Sequence, residues 1–114
     1  MAGVAALTDA ARVRALNDAF RRSLTGGRVV VTVGVAALPE TTHAAVLSAV
    51  RAFDRFDPTD DSHGEQDFGA VAAAGMRCFW KIDCYDHDLS FAPPDPADPT
   101  VTTPILTVMP VEEY

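Results

Sequence analysis

The chain has 114 residues, 48% of them hydrophobic and 22% charged, which is the make-up of one ordinary globular domain and excludes a disordered chain. Its formal charge of −7 argues against nonspecific nucleic acid binding, because most of the surface would repel phosphate. The longest apolar stretch, Val29 to Leu38, is interrupted by Thr32 and Gly34 and falls well short of the roughly 20 residues that a membrane helix requires.

The first ten residues have no basic start followed by a hydrophobic run, so no secretory signal is expected and the cytoplasm is the default location. A helix is expected from about Thr8, whose hydroxyl can cap free amides, with Asp9 at the positive end of the dipole. Val13, Leu16, Phe20 and Leu24 recur at helical steps and form its core stripe. Arg12, Arg14, Arg21 and Arg22 make the main basic cluster, with Asp18 in reach for ion pairs on a solvated face. Gly26-Gly27 ends the helix.

Arg28 to Val35 is rich in β-branched residues and predicts a strand that is central or covered on both faces. Pro39 and Glu40 open a second helix, whose buried stripe is Val46, Leu47, Val50 and Phe53 and which ends before Pro58. Residues 54–67 have no period of either kind and predict a long loop. Two strands follow, Phe68 to Ala73 and Met76 to Tyr85, joined at Ala74-Gly75. In the second, Met76, Cys78, Trp80, Ile82 and Cys84 alternate onto the core face, with Arg77, Phe79, Lys81, Asp83 and Tyr85 opposite.

The prolines between Pro93 and Pro99 demand an extended connector. Val101 to Met109 is a last strand, with Pro104 consigning its first half to an edge or an irregular start. Residues 1–114 therefore read as one α+β domain, an antiparallel sheet of about four strands in the order α-β-α-β-β-β with two helices on one face. Cys78 and Cys84 lie on one extended segment, roughly 20 Å apart and beyond the ~7 Å reach of a disulfide, so two reduced thiols are expected.

Charge is divided unevenly. Residues 1–53 hold six Arg against three acids, while residues 54–98 hold eleven Asp or Glu against Arg55, Arg77 and Lys81. Every cluster with chemical potential lies in that acidic stretch. His63, Glu65 and Asp67 stand at alternate positions, and an extended backbone would aim all three alike, as a metal needs or as a general base with its orienting partner. A short acidic loop with one His is also explained by solvation. Asp57 does not open a calcium loop, because Thr59, Ser62 and Phe68 occupy positions that demand an acid or Asn, Gly and Glu. His63-Gly64-Glu65 does not complete a zinc deaminase, since Cys78 and Cys84 have the wrong spacing and no preceding proline.

Lys81 and Asp83 would share proton chemistry if their face were covered, and form a surface ion pair if it is open. Asp86 and Asp88 bracket His87 and bias it toward its charged form, while His43 faces outward and takes no role. Gly26-Gly27 precedes a strand and not a helix, so it is no phosphate loop, and neither Cys has an adjacent base for nucleophilic catalysis.

Several blocks in fixed order carry a family likeness: Gly26-Gly27-Arg28-Val29, Gly34 to Pro39, His63 to Gly69, Phe79 to Asp83 with Tyr85-Asp86, Asp95 to Pro99, and Glu112-Glu113-Tyr114. From about residue 12 to the end the chain resembles the Domain of Unknown Function 3768 family. The resemblance implies a small bacterial protein without an assigned activity, of a kind often encoded near plasmid, phage or integrative-element genes. The chain departs from the usual pattern at Cys84, where an aromatic is typical, and at Thr103-Pro104, where basic residues are more usual.

The functional expectation is an acidic, noncatalytic interaction protein without a cofactor, an accessory or counter-defence factor of a mobile element. Asp60, Asp61, Glu65, Asp67, Asp86 and Asp88 would engage a basic protein partner, with no nucleic acid or membrane contact. The alternative is a small enzyme, metal-dependent or acid/base, using His63, Glu65 and Asp67 with Lys81 and Asp83 as neighbours. A self-associating domain is a third reading.

Overall fold

The computed structural model describes residues 9–56 and 64–114. The chain runs α1 (Asp9–Ser23), β1 (Arg28–Val31), α2 (Val33–Ala36), α3 (Glu40–Ala52), β2 (Phe68–Ala73), β3 (Met76–Tyr85) and β4 (Thr103–Pro110), followed by a single 3-10 turn at Val111–Glu113. The four strands form one sheet in the order β1-β4-β3-β2. Helices pack against one face of it, which is the expected α+β arrangement. Thr8, the expected helix cap, lies outside the described residues.

Three of the strands are antiparallel neighbours, but β1 runs parallel to β4, with Arg28 beside Ile105 and Val31 beside Val108, so the sheet is mixed. β1 is an edge strand, not the central or doubly covered one expected, and Val29 and Val30 remain 37% and 44% exposed. It is also shorter than its apolar run. After Val31 pairs with Val108, β4 has only Met109 and Pro110 left, and Pro110 has no amide hydrogen to extend the ladder. The Thr32 amide makes the last bond to Val108, and the carbonyl of Thr32 then accepts from Val35 and Ala36, which turns the chain into α2.

β4 is central, yet its first residues keep the edge character expected at Pro104. The β1 ladder begins only at Ile105, so at Pro104 only β3 lies alongside in register. Gly27 permits this crossing, because a Cβ there would collide with the Pro104 carbonyl and lie 2.9 Å from the Phe20 ring. The β2–β3 hairpin turns on Ala74 at φ 51° and Gly75 at φ 81°, the pair of left-handed residues that a two-residue hairpin with native twist requires.

The core follows the alternation of β3. Cys78, Trp80 and Ile82 are buried together with Leu106 and Val108 of β4, Val46 and Val50 of α3, Val35 of α2 and Phe20 of α1. Met76 is partly buried against this cluster, and so are Leu47 and Phe53 of the second predicted stripe. The opposite face carries Phe68 and Phe79, with ring centres 5.3 Å apart, and Tyr114 packs onto both.

α1 departs from expectation on one point. Its buried residues are Val13, Asn17, Phe20 and Arg21, so Arg21 does not belong to a solvated basic face. Its ion pair with Asp18 is present at 3.3 Å, but Arg21 is wholly buried. Two guanidinium bonds of 3.0 and 3.1 Å reach the Val50 and Arg51 carbonyls at the negative end of α3, where the Val50 carbonyl also accepts the Phe53 amide at 3.3 Å. Arg12 stays exposed and lies 4.0 Å from Asp9, a pairing not among those expected.

Candidate functional site

The acidic segment is organised around the end of β3. The Ile82 amide donates to the Asp67 carbonyl at 2.8 Å, which extends the β2–β3 pairing by one step and lays residues 64–67 beside Asp83 and Cys84. α1 fixes this segment from the other side. Asn17, buried in the helix, donates through Nδ2 to the Glu65 carbonyl at 3.0 Å. Gln66, with its amide nitrogen turned to Asp18, donates to both carboxylate oxygens at 2.7 Å.

Those contacts hold a backbone that is otherwise unfavourable. Gly64 and Gln66 sit at φ 68° and 53°, and the second of these is uncommon for a residue with a Cβ. A chain of polar contacts therefore runs from the buried Arg21 through Asp18 to Gln66, and its effect is to set Glu65 and Asp67 on either side of a pinned residue. Asp83 comes from a different part of the chain.

Cys84 reports the resulting electrostatics. Burial chiefly pushes its thiol above the ordinary thiol range, and Glu65, Asp83 and Asp67 add to the upward shift. The three carboxylates thus act on one point from two separate segments, and the thiol stays protonated and poorly nucleophilic at neutral pH. Burial raises the Cys78 thiol as well. Both cysteines are free, as their spacing predicted.

Lys81 and Asp83 project from the open face of the sheet. Their Nζ and Oδ2 atoms are 3.2 Å apart, with side chains 43% and 45% exposed. They are two residues apart on one strand, so the pair is not a cross-strand one, and it has the solvent access of an ordinary surface ion pair.

Beyond β3 the acids divide between structure and solvent. The Asp86 carboxylate accepts the amides of Ser90 at 3.1 Å and Phe91 at 3.5 Å, closing the turn. Asp88 is exposed. His87 bridges to the proline connector, with Nδ1 3.0 Å from the Thr103 hydroxyl and Nε2 2.5 Å from the Thr100 carbonyl. Asp95 and Asp98 cap the amides of Ala97 and Thr100 at 3.0 and 2.9 Å. His87 is therefore a clasp between two loops, a function that its neighbouring carboxylates did not announce.

Asp60, Asp61 and His63 lie outside the described residues. Of the candidates within them, Glu65, Asp67 and Asp83 each act on the Cys84 thiol, Lys81 pairs with Asp83, and Asp86 and Asp88 follow at the strand's end. Among the described residues, no three His, Cys, Asp or Glu side chains are grouped to hold a metal ion, and no helix is long and apolar enough to cross a membrane. Reasoning from residue type missed Asn17 and Arg21. The signal was present in spacing: positions 13, 17, 20, 21 and 24 share one helical face, and two of them are polar.

Comparison with known proteins places the chain in one family. It belongs to the family described as "Protein of unknown function (DUF3768)", whose profile matches residues 31–113. No curated protein and no solved structure matches it.

Proposed function

We propose that this member of the DUF3768 family is a noncatalytic binding module that engages a basic protein partner through the acidic end of its sheet. The observation that supports the reading is that Glu65, Asp67 and Asp83, from two segments, all push the Cys84 thiol upward, with residues 64–67 laid beside the end of β3 by the Asp67–Ile82 backbone bond. Asp86 and Asp88 lie just beyond it, in the turn that follows β3. Concentrated negative charge raises the local concentration of a cationic partner and steers its approach, and it repels phosphate. A basic protein fits such a surface better than nucleic acid does.

The wider role that this reading favours is an accessory or counter-defence factor of a mobile genetic element. One form of it is a domain that covers the basic groove of a DNA-binding protein. The test is the salt dependence of binding to a short Lys/Arg-rich peptide. Affinity falls steeply between low and physiological ionic strength if exposed charges dominate. Equal affinity at the two ionic strengths would contradict the reading.

A further inference from the structure

Beside the acidic end lies a cavity of about 230 Å³, walled by Leu16 and Phe20 of α1 on one side and by Pro96, Pro99 and Pro104 on the other, with Cys84 also in its lining. It is smaller than the roughly 300–1,000 Å³ typical of drug-sized ligands, and it has room for a single side chain. Its surface is mainly apolar. Ser23 and Thr25 contribute hydroxyls, but Ser23 donates to the Ala19 carbonyl and Thr25 to Ser23, each at 2.8 Å, so neither has a hydroxyl proton left for a ligand.

The cavity and the acidic group share their boundary. Asn17, which lines the cavity, holds the Glu65 carbonyl, and Cys84, also in the lining, lies within the field of Glu65, Asp83 and Asp67. The wall of the cavity is itself uncharged, and the acids stand at its border: Glu65 and Asp67 by way of Asn17 and Cys84, and Asp95 and Asp98 next in sequence to the lining Pro96 and Pro99. A neutral apolar molecule would gain only from burial, whereas an apolar group with cations on both sides would gain from burial and from charge together. The thiol stays protonated, so capture is noncovalent.

We propose that this cavity receives one apolar side chain of the basic partner, flanked in that partner's sequence by Lys or Arg. The inference rests on the binding reading above and specifies its partner as a basic segment with a central apolar anchor. A fully buried apolar side chain is the kind of residue that dominates interface energies, while the surrounding charges set approach and register.

Two peptides test this, Lys-Arg-Phe-Arg-Lys and the same peptide with Ala in place of Phe, titrated into the protein and followed by amide NMR shifts. The Phe peptide is expected to bind about tenfold more tightly, the worth of burying most of one large apolar side chain. Its shifts should centre on Leu16, Phe20 and Cys84. Ala19 lines the cavity at an exposed helix position, so Ala19→Trp fills the space with little risk to the fold. In that variant the Phe advantage should vanish while the Ala peptide binds as before. Equal, salt-dependent binding of the two peptides to the wild type would overturn the anchor and leave the acidic end standing. Failure of both peptides to bind at low salt would overturn both.

Discussion

The guanidinium of Arg21 stacks on Trp80, 5.2 Å from the ring centre, and neither residue has any solvent exposure. A second ring, Phe56, lies 5.5 Å from the same carbon. Burial lowers the Arg21 pKa, and the hydrogen bond and charge of Asp18 oppose that shift. The cation is thus held by two aromatic faces, two helix-end carbonyls and one carboxylate. It joins α1 to α3 and, through Asp18 and Gln66, to the acidic segment.

Breaking this arrangement is expected to cost a large share of the stability, which for a domain of this size is about 5–15 kcal/mol. Arg21→Met takes the guanidinium from the Val50 and Arg51 carbonyls and leaves the Asp18 carboxylate without its cation, and should cost about 3 kcal/mol or more. Arg21→Lys keeps the charge but cannot fork between carbonyls and carboxylate while stacking on the indole, and should cost about 2 kcal/mol. Urea unfolding followed by the fluorescence of Trp80, the chain's single Trp, measures both. A loss within about 0.5 kcal/mol for Arg21→Met would show that the buried cation contributes nothing net.

Gly69 is the partner of Trp80 across the β2–β3 ladder, and a Cβ there would lie 2.5 Å from the indole nitrogen and 2.9 Å from the Phe53 ring. The indole has no room to move, because Phe53 and Phe56 pack edge-on at 5.5 and 6.1 Å. Gly69→Ala should destabilise by about 2 kcal/mol through overpacking, with a shift in Trp80 emission. Unchanged stability and emission would mean that the ring has slack.

The two thiols give stability a pH dependence of known sign. Both are raised in the folded state, chiefly by burial, so the unfolded chain gives up its protons first. Below the ordinary thiol pKa of about 8.5 their contribution is intact; above it stability declines until the native thiols themselves ionise. Urea midpoints measured from neutral to alkaline pH should fall, and Cys78→Ala with Cys84→Ala should flatten the decline. A thiol reagent at mildly alkaline pH should label the native protein far more slowly than the unfolded one. Equal labelling rates would contradict the shift.

In the proline connector, the Thr100 hydroxyl and amide hold the Asp98 carboxyl below the usual carboxylate range. This turn contributes above the ordinary Asp pKa and is lost as pH falls through the lowered value. A carboxyl carbon titration by NMR should show Asp98 titrating below the usual carboxylate range, and Thr100→Val should return it part of the way. An Asp98 curve left unmoved by Thr100→Val would contradict the Thr100 cap.

How far these features can be read from residues alone depends on whether they are local. The β3 alternation, the Ala74-Gly75 turn and the α3 stripe are set by neighbours in sequence, and each is found where the periodicity places it. The parallel pairing of β1 is not local, since its partner β4 lies more than seventy residues away. The conversion of Val33–Ala36 to helix follows from where β4 ends, which the β-branched run itself cannot report. Arg21 shows the same limit: a basic residue on a helix reads as solvated until Trp80, Phe56 and the end of α3 are brought around it. The acidic group is legible as composition, but the placing of residues 64–67 beside the end of β3 depends on the Asp67–Ile82 bond, and their anchoring on Asn17 and Gln66 is visible only in three dimensions.

The most direct test compares two triple variants of equal net charge. One neutralises the acidic end, Glu65→Gln, Asp67→Asn and Asp88→Asn; the other neutralises acids elsewhere, Asp9→Asn, Glu40→Gln and Glu112→Gln. Each is titrated with the same Lys/Arg-rich peptide at low salt, after a thermal melt has shown it folded. The account predicts that the first variant loses about tenfold or more in affinity while the second stays close to wild type. Equal losses in the two variants would mean that only net charge matters, and would contradict a localised binding end.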